Sequence, residues 1–379
     1  MKLEVLQENL NHALSLISRV LPSKPSVPVL TNILLSARDG KLTLTASNLE
    51  TSLVTSVGAK ITTDGDFTVP GKTFSEIVSS LPPQKSLMAL DGGVLTLKST
   101  GFSARINGIP ASEYPPLAVS PNEPAVRFEI DTAELLSGVE KTVFASAQDE
   151  SRANLTGVLF RFTGKTLVLA ATDGFRLSVV HFKKTISAPD APDLSLIIPA
   201  GSLTELVRIL SGASLQKLTA VKIIVYHQTN QIVFSLGETT IFSRLITGNF
   251  PDYEKIIPSS SSHKLSVSTE ELSQAIRLAS IFARDSANIV KLRLAASKMA
   301  ISANSPQVGE NETEISFHPD GSVSDMEIAF NYRYLQEYLA TVSGGEVVVG
   351  FSGSTAPGVF RLPTDSGYLH IIMPVRVQS

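Results

Sequence analysis

The chain has no cysteine and no tryptophan in 379 residues, and only 6% of its positions are aromatic. Without thiols there are no disulfides, no thiolate nucleophile and no cysteine-bearing zinc site. A chain free of cysteine also fits a reducing compartment. An excess of charge of one sign is lacking too: 32 Lys and Arg face 35 Asp and Glu, for a formal net charge of −3. Proteins that grip nucleic acid through many phosphate contacts are usually basic. Any DNA role must therefore rest on local charge placement or on something other than grip. No apolar run approaches the ~20 residues of a membrane span, and the opening MKLEVLQENL has no signal-peptide core. The expectation is a soluble cytoplasmic protein, 43% hydrophobic and long enough for two or three domains.

Catalytic signals are as scarce. None of the six histidines (His12, His181, His227, His263, His318, His370) pairs with another at metal-ligand spacing. DGFR, Asp173 to Arg176, sets an acid beside a base, but an Asp-Gly turn closing a strand is the simpler reading. No acid pair, nucleophile-base spacing or phosphate-cradling glycine loop stands out, so neither an enzyme nor a cofactor or metal is expected.

What is present is repetition. KLEVLQENLNHAL (Lys2 to Leu14), RFEIDTAELLSGV (Arg127 to Val139) and KLSVSTEELSQAI (Lys264 to Ile276) share one pattern. Their common leucines, Leu10, Leu135 and Leu272, recur about every 130 residues, a domain's length. Each reads as a strand running into a helix. Leu10, Ala13, Leu14 and Ile17, like Leu272, Ala275, Ile276 and Ala279, have helical spacing. A second strand-helix unit follows in each copy: FTVPGKTFSEIVSSLP, LIIPAGSLTELVRILSG and IAFNYRYLQEYLATVSG. Asp131 with Glu134, Ser268 with Glu271, Thr73 with Glu76, and Ser202 with Glu205 have capping-box spacing. Alternating strands complete every half. The expected class is α+β, with three repeated domains over residues 1–120, 126–254 and 260–379. Each domain is two β-α-β-β-β halves. Boundaries fall at the turn formers AVSPNEP (Ala118 to Pro124) and IPSSSSH (Ile257 to His263). Bases on the helices' polar faces (Arg19, Lys72, Lys141, Arg208, Arg277, Arg333) are either simply solvated or share one surface.

The threefold repeat, IPASEYPPL (from Ile109), ATDGFRL (Ala171 to Leu177), GNFPDYEKIIP (Gly248 to Pro258) and the terminal MPVRV resemble the bacterial DNA sliding clamps, the beta subunit of DNA polymerase III, in order and spacing throughout. The resemblance implies three DNA-clamp domains per chain in a head-to-tail homodimeric ring, helices inside and sheets outside. Two copies of six helices, each about 10 Å wide, give a circumference of roughly 120 Å and a hole of about 28 Å. A B-form duplex of roughly 20 Å passes through it. Such a ring holds DNA without gripping it, which accords with the mild acidity. Its implied partners are encircled duplex DNA, the polymerase III catalytic subunit, the clamp loader, and other polymerases and repair proteins that bind through short linear peptides. Its implied role is to tether the polymerase for processivity, with no chemistry of its own.

The resemblance also implies positions. The partner-peptide pocket maps to Leu155, Thr172, Gly174, Phe175, Arg176, Leu177, Pro251, Lys255, Ile256, Asn331, Tyr334, Thr355, Pro357, Ile371, Ile372, Met373, Pro374, Val375, Arg376 and Val377. DNA contacts map to Lys24, Lys72, Gln148 and Arg152. The dimer contact maps to Ala104 and Ile106 of one subunit against Ile281 and Phe282 of the other. Phe175 departs from the His or Tyr frequent in relatives, and Ala200 and Gly201 stand where some carry bases. Two rival readings are an enzyme centred on Asp173 and Arg176 and a repeat scaffold that never meets DNA. Retention on circular but not linear DNA separates the ring from both.

Overall fold

The computed structural model describes residues 1–117, 125–183, 193–212, 218–321 and 323–376. The expected boundary Ala118 to Pro124 and the site residue Val377 lie outside them. One order of elements, a strand, a helix and three strands, recurs six times. The first repeat has β1 (Lys2–Leu6), α1 (Gln7–Ile17), β2 (Asn32–Arg38), β3 (Lys41–Ser47) and β4 (Thr51–Thr63). It continues with β5 (Gly65–Pro70), α2 (Gly71–Ser80), β6 (Lys85–Asp91), β7 (Val94–Ser99) and β8 (Phe102–Asn107). The second has β9 (Ala125–Asp131), α3 (Thr132–Val143), β10 (Gly157–Thr163), β11 (Thr166–Thr172) and β12 (Arg176–His181). Its other half is β13 (Leu194–Pro199), α4 (Ala200–Leu210), β14 (Ala220–Tyr226), β15 (Gln231–Leu236) and β16 (Thr239–Arg244). The third has β17 (His263–Ser268), α5 (Thr269–Ala283), β18 (Ile289–Ala295), β19 (Lys298–Ser305), β20 (Gly309–Ser316) and a two-residue extra strand, β21 (His318–Pro319). It ends with β22 (Met326–Asn331), α6 (Tyr332–Ala340), β23 (Glu346–Phe351), β24 (Gly358–Leu362) and β25 (Asp365–Ile372).

The apolar stripes expected on α1 and α5 are the buried faces, with Leu10, Leu14, Leu272 and Ile276 at 1% exposure or less. Two of the four expected caps form: Asp131 Oδ1 accepts from Glu134 N at 3.0 Å, and Ser268 Oγ accepts from Glu271 N at 3.4 Å. The other two do not. In both, a strand ending in proline runs directly into its helix, so the helix begins before the Ser or Thr. α2 starts at Gly71 behind Pro70, which supplies no side-chain cap. Ser202 lies inside α4, fully buried, its hydroxyl 2.5 Å from Thr51 Oγ1 and 2.7 Å from Ser243 Oγ.

Packing groups the described residues into two compact units. One holds those of Met1–Leu136 and Gly201–Leu245, the other those of Ser137–Thr185, Pro192–Ala200 and Ile246–Ser379. The second repeat is thus shared between them. The cause is pairing across repeats. In the first unit a 12-stranded sheet runs β8-β7-β6-β1-β4-β16-β15-β14-β9, with β2, β3 and β5 attached beside β4. The 13-residue β4 pairs β16 at one end and β1 at the other. In the second unit a nine-stranded sheet runs β13-β10-β11-β12-β25-β24-β23-β17-β21, and a four-stranded sheet runs β20-β19-β18-β22. Strands β8 and β20 are open edges.

Candidate functional site

In the second unit, β12 pairs antiparallel with β25, from Arg176 opposite Ile372 to Val180 opposite Tyr368. Strand alternation sends Leu177, Val179, Leu369 and Ile371 to one face, and Arg176, Ser178 and His370 to the other. The first group joins Leu159, Ala170, Val359 and Tyr253 in one buried apolar cluster, with Phe250 and Ile257 packed against it. The segment Gly248 to Pro258 therefore crosses this face. Phe250, Tyr253 and Ile257 point inward, while Pro251, Lys255 and Ile256 are exposed. Asn154 Nδ2 donates to Asn249 O at 2.9 Å, pinning the segment's start.

On the opposite face Arg176 is a buried cation, 7% exposed. Its Nε donates to Asp173 Oδ2 at 3.1 Å, its Nη2 to Phe144 O at 2.6 Å, and its Nη1 to Glu337 of α6. The guanidinium also lies over the rings of Tyr334, 4.6 Å from the centroid, and Phe144. Burial, then the Asp173 charge, raises the Tyr334 hydroxyl above the usual tyrosine range. Asp173 Oδ1 accepts from the backbone of Phe175 and Arg176. Its carboxylate closes a turn and holds the arginine, the simpler of the two readings of DGFR. Thr172 Oγ1 donates to Arg176 O at 2.6 Å and accepts from Gly174 N. Gly174 has φ +91°, and a Cβ there would come within 2.9 Å of Arg152 Nη1. The left-handed backbone favours glycine, whereas the Arg152 tip, the end of a flexible exposed side chain, could swing away from a Cβ.

His370 is fully buried and stacks on Tyr338, centroids 4.9 Å apart and planes 11° from parallel. Neither ring nitrogen has a hydrogen-bond partner among the described residues. Burial, with Arg176 nearby, pushes the imidazole down to about 3.

The strand ends carry the exposed apolar groups. Phe175 O accepts from Met373 N at 2.8 Å, so these two side chains emerge next to each other. Phe175 is 56% exposed and Met373 36%. The register of β24, with Gly358 opposite Ile372, sets half-buried Pro357 beside them. The tail is fastened by Val375 N donating to Ala329 O at 2.8 Å. Of the remaining expected positions, Leu155, Leu177, Ile371 and Ile372 are buried and underlie the surface. Asn331 caps α6, accepting from Arg333 N at 3.0 Å. Lys255, exposed, pairs with Asp252 at 2.9 Å. Thr355 and Arg376 are exposed, and Pro374 is half-buried. Sequence reading missed Arg161, Glu337 and the inward role of Tyr253. Tyr253 was visible in FPDY, but nothing local marks Arg161 or Glu337.

The other expected contacts are spread over both units. Lys24 and Lys72 are exposed in the first, Gln148 and Arg152 in the second. Of the bases on helix faces, Lys141 is committed to Asp365 at 2.7 Å and Arg208 to Glu205 at 2.5 Å. On the open edge β8, Ala104 is half-buried, but Ile106 is only 5% exposed, turned into its own core by strand alternation. Ile77, Leu81 and Phe102 instead line an open cavity of about 480 Å³ in the first unit. The Ile77–Leu81 spacing on and just past α2 was the available signal. In the second unit Ile281 is 44% exposed, Phe282 is half-buried, and Leu278 and Val308 are exposed.

Three domain models of the DNA polymerase III beta subunit match the chain in succession. They are the N-terminal domain over residues 1–118, the central domain over 129–252 and the C-terminal domain over 254–376. The beta sliding clamp of Synechococcus elongatus is 30% identical over 384 residues, covering 100% of both chains. That of Bacillus subtilis is 31% identical, covering 99% of this chain and 100% of its own. Among solved structures, the Bacillus subtilis sliding clamp superposes with a TM-score of 0.91 at 29% identity. A Pseudomonas aeruginosa sliding clamp bound to griselimycin gives 0.91 at 27%, each covering 100% of both chains. With three clamp domains matched in order along its length, the chain belongs to the DNA polymerase III beta subunit family, the sliding clamps of DNA replication.

Proposed function

We propose that two copies of this chain close head to tail into a ring around duplex DNA, and that the exposed end of the β12–β25 pair receives short peptides of its partners. The domains of that ring are residues 1–120, 126–254 and 260–379. Those partners are the polymerase III catalytic subunit, the clamp loader, other polymerases and repair proteins. The observation that carries the reading is Phe175 and Met373 exposed side by side at the end of the β12–β25 pair, where the neighbouring Arg176 holds the turn rigidly. An apolar anchor needs exposed apolar walls, and main-chain groups at the strand ends can orient a peptide backbone. A relative that takes griselimycin supports a ligand site on this fold. The formal charge of −3 supports encirclement over grip, with Lys24, Lys72, Gln148 and Arg152 as light contacts. Closure is supported by complementary edges. The Ile77–Phe102 cavity beside β8, with Arg105 on that strand, suits exposed Ile281 and the outward Glu310 of β20 in a second copy. The α2 and β8 residues replace Ile106 as the receiving surface.

The test joins both halves of the reading. Met373→Ala is expected to weaken a fluorescent peptide with leucine and phenylalanine anchors at least tenfold, about 1.4 kcal/mol or more. Retention of the same protein on closed circular DNA, and release on linearisation, are expected to stay unchanged. Equal peptide affinity, or equal retention on circular and linear DNA, overturns the corresponding half.

A further inference from the structure

Arg161 belongs to none of the positions that the family resemblance carries. It stands on β10, next to Phe160 and Phe162, where a lone base in a strand reads as an ordinary solvent-facing residue. Its surroundings are unusual for one. Arg161 Nη2 donates at 2.6 Å to the Tyr253 hydroxyl and at 2.6 Å to Glu254 Oε1. Its guanidinium also lies 5.3 Å from the centre of the Tyr253 ring. Tyr253 is the one fully inward aromatic of the crossing segment, 3% exposed and part of the cluster with Leu177 and Ile371. Two residues before it stands Pro251, and three after it Ile256, both exposed.

We infer that Arg161 is a positioning residue for the partner site: by clamping Tyr253 and Glu254 it sets where Pro251 and Ile256 stand. The inference rests on the reading of this surface as the peptide site. A segment without regular strand pairing is held only by its anchors. Here these are Asn154 at Asn249, Phe250, Tyr253 and Ile257 in the apolar cluster, and Arg161. Apolar packing fixes the depth of a ring and leaves it free to slide or rotate. A directional bond to the hydroxyl at its far end removes that freedom. Both bonds leave one nitrogen, Nη2, whose two hydrogens diverge in the fixed plane of the guanidinium, a geometry the freely rotating ammonium of lysine holds less well. The Arg161–Glu254 pair is too exposed to add much stability by itself, the side chains being 34% and 60% accessible. Its value is geometric. A wall displaced by a fraction of an ångström still folds but fits its ligand poorly.

The test measures affinity for the labelled leucine-phenylalanine peptide in a double-mutant cycle on the full-length protein. Arg161→Met keeps the aliphatic stem and removes both bonds. It is expected to weaken the peptide at least fivefold, with Arg161→Lys recovering part of the loss and Tyr253→Phe matching the larger part. In an Ile256→Ala background, where the wall is already truncated, Arg161→Met is expected to cost less than twofold. In a Met373→Ala background the fivefold loss is expected in full. A merely structural arginine would weaken binding equally in both backgrounds. Equal cost in both, or no cost in the parent protein while Ile256→Ala and Met373→Ala each weaken the peptide, overturns the role of Arg161 alone. No loss from Ile256→Ala or Met373→Ala overturns the site reading itself.

Discussion

Two strand pairs join consecutive repeats, β4 with β16 in the first unit and β12 with β25 in the second, and they are built differently. Both are antiparallel and five residues long, with buried apolar pairs: Leu53 opposite Ile241 at the centre of the first, and Leu177 opposite Ile371 and Val179 opposite Leu369 flanking the central Ser178–His370 pair of the second. The first is completed by neutral hydroxyls. Thr51, Ser202 and Ser243 form one linked group, and Thr55 meets Thr239 at 2.9 Å. The second buries a cation between two carboxylates and, against tyrosine, an imidazole without a hydrogen-bond partner among the described residues. It also ends in exposed Phe175 and Met373. Hydroxyl pairs close a seam at small electrostatic cost, since each neutral bond nets about 1 kcal/mol and no charge is desolvated. A buried arginine is costly unless every donor is placed, and once placed it fixes its surroundings firmly. The charged seam is the one that carries the candidate site. A binding surface gains from that rigidity, whereas a purely structural seam has no use for it.

Three substitutions probe this contrast. The largest effect is expected from Arg176→Met, which leaves Asp173 Oδ2 and Phe144 O without their partner in a mostly buried setting. A loss of about 3–5 kcal/mol is expected by chemical denaturation. A loss no larger than that of Ser202→Ala would break the contrast.

The second concerns acid. The folded value of His370, about 3, lies below the ~6.5 of a free imidazole, so between these values the unfolded chain binds the extra proton. The contribution of His370 is therefore complete above about pH 6.5. It falls by up to ~1.4 kcal/mol per pH unit as pH drops toward 3. His370→Phe is expected to remove this component, leaving a shallower stability profile than the parent by roughly 2 kcal/mol at pH 5. Parallel profiles from pH 4 to 7 would show that the imidazole is hydrated or paired in solution.

The smallest effect belongs to the neutral seam. Ser202→Ala removes one member of the hydroxyl cluster, and Ser243 keeps its bond to Arg244 O. A destabilisation of about 1 kcal/mol is expected from thermal or urea unfolding. A loss of 3 kcal/mol or more would show that the hydroxyl group acts as a unit as firm as the arginine network.

Local pattern was legible where the information is local. The spacing of Leu10, Ala13, Leu14 and Ile17 gives α1 its buried face, and Asp131 and Ser268 cap as their spacing suggests. Thr73 and Ser202 have the same spacing and do not cap, because Pro70 and Pro199 lead their strands straight into the helix. Family likeness brought Phe175, Arg176 and Met373 onto one list. It could not tell that Leu177 and Ile371 lie beneath that surface, since strand alternation decides burial only once the neighbouring layer is known. Ile106 turns into its own core for the same reason, and Ile77 and Phe102 line the cavity beside its strand.

By itself the sequence determined the sixfold β-α-β-β-β order, the helix stripes and the turns, because these depend on residues a few positions apart. The tertiary structure decided which strands join the repeats, where Arg176 finds Glu337, and where Lys141 finds Asp365 across 224 positions. It also decided that Arg161 holds Tyr253, 92 positions along the chain. An exposed base and a buried, fully paired one are the same letter in a sequence. Only the arrival of distant partners, which remove water and supply acceptors in its place, makes one of them part of a site.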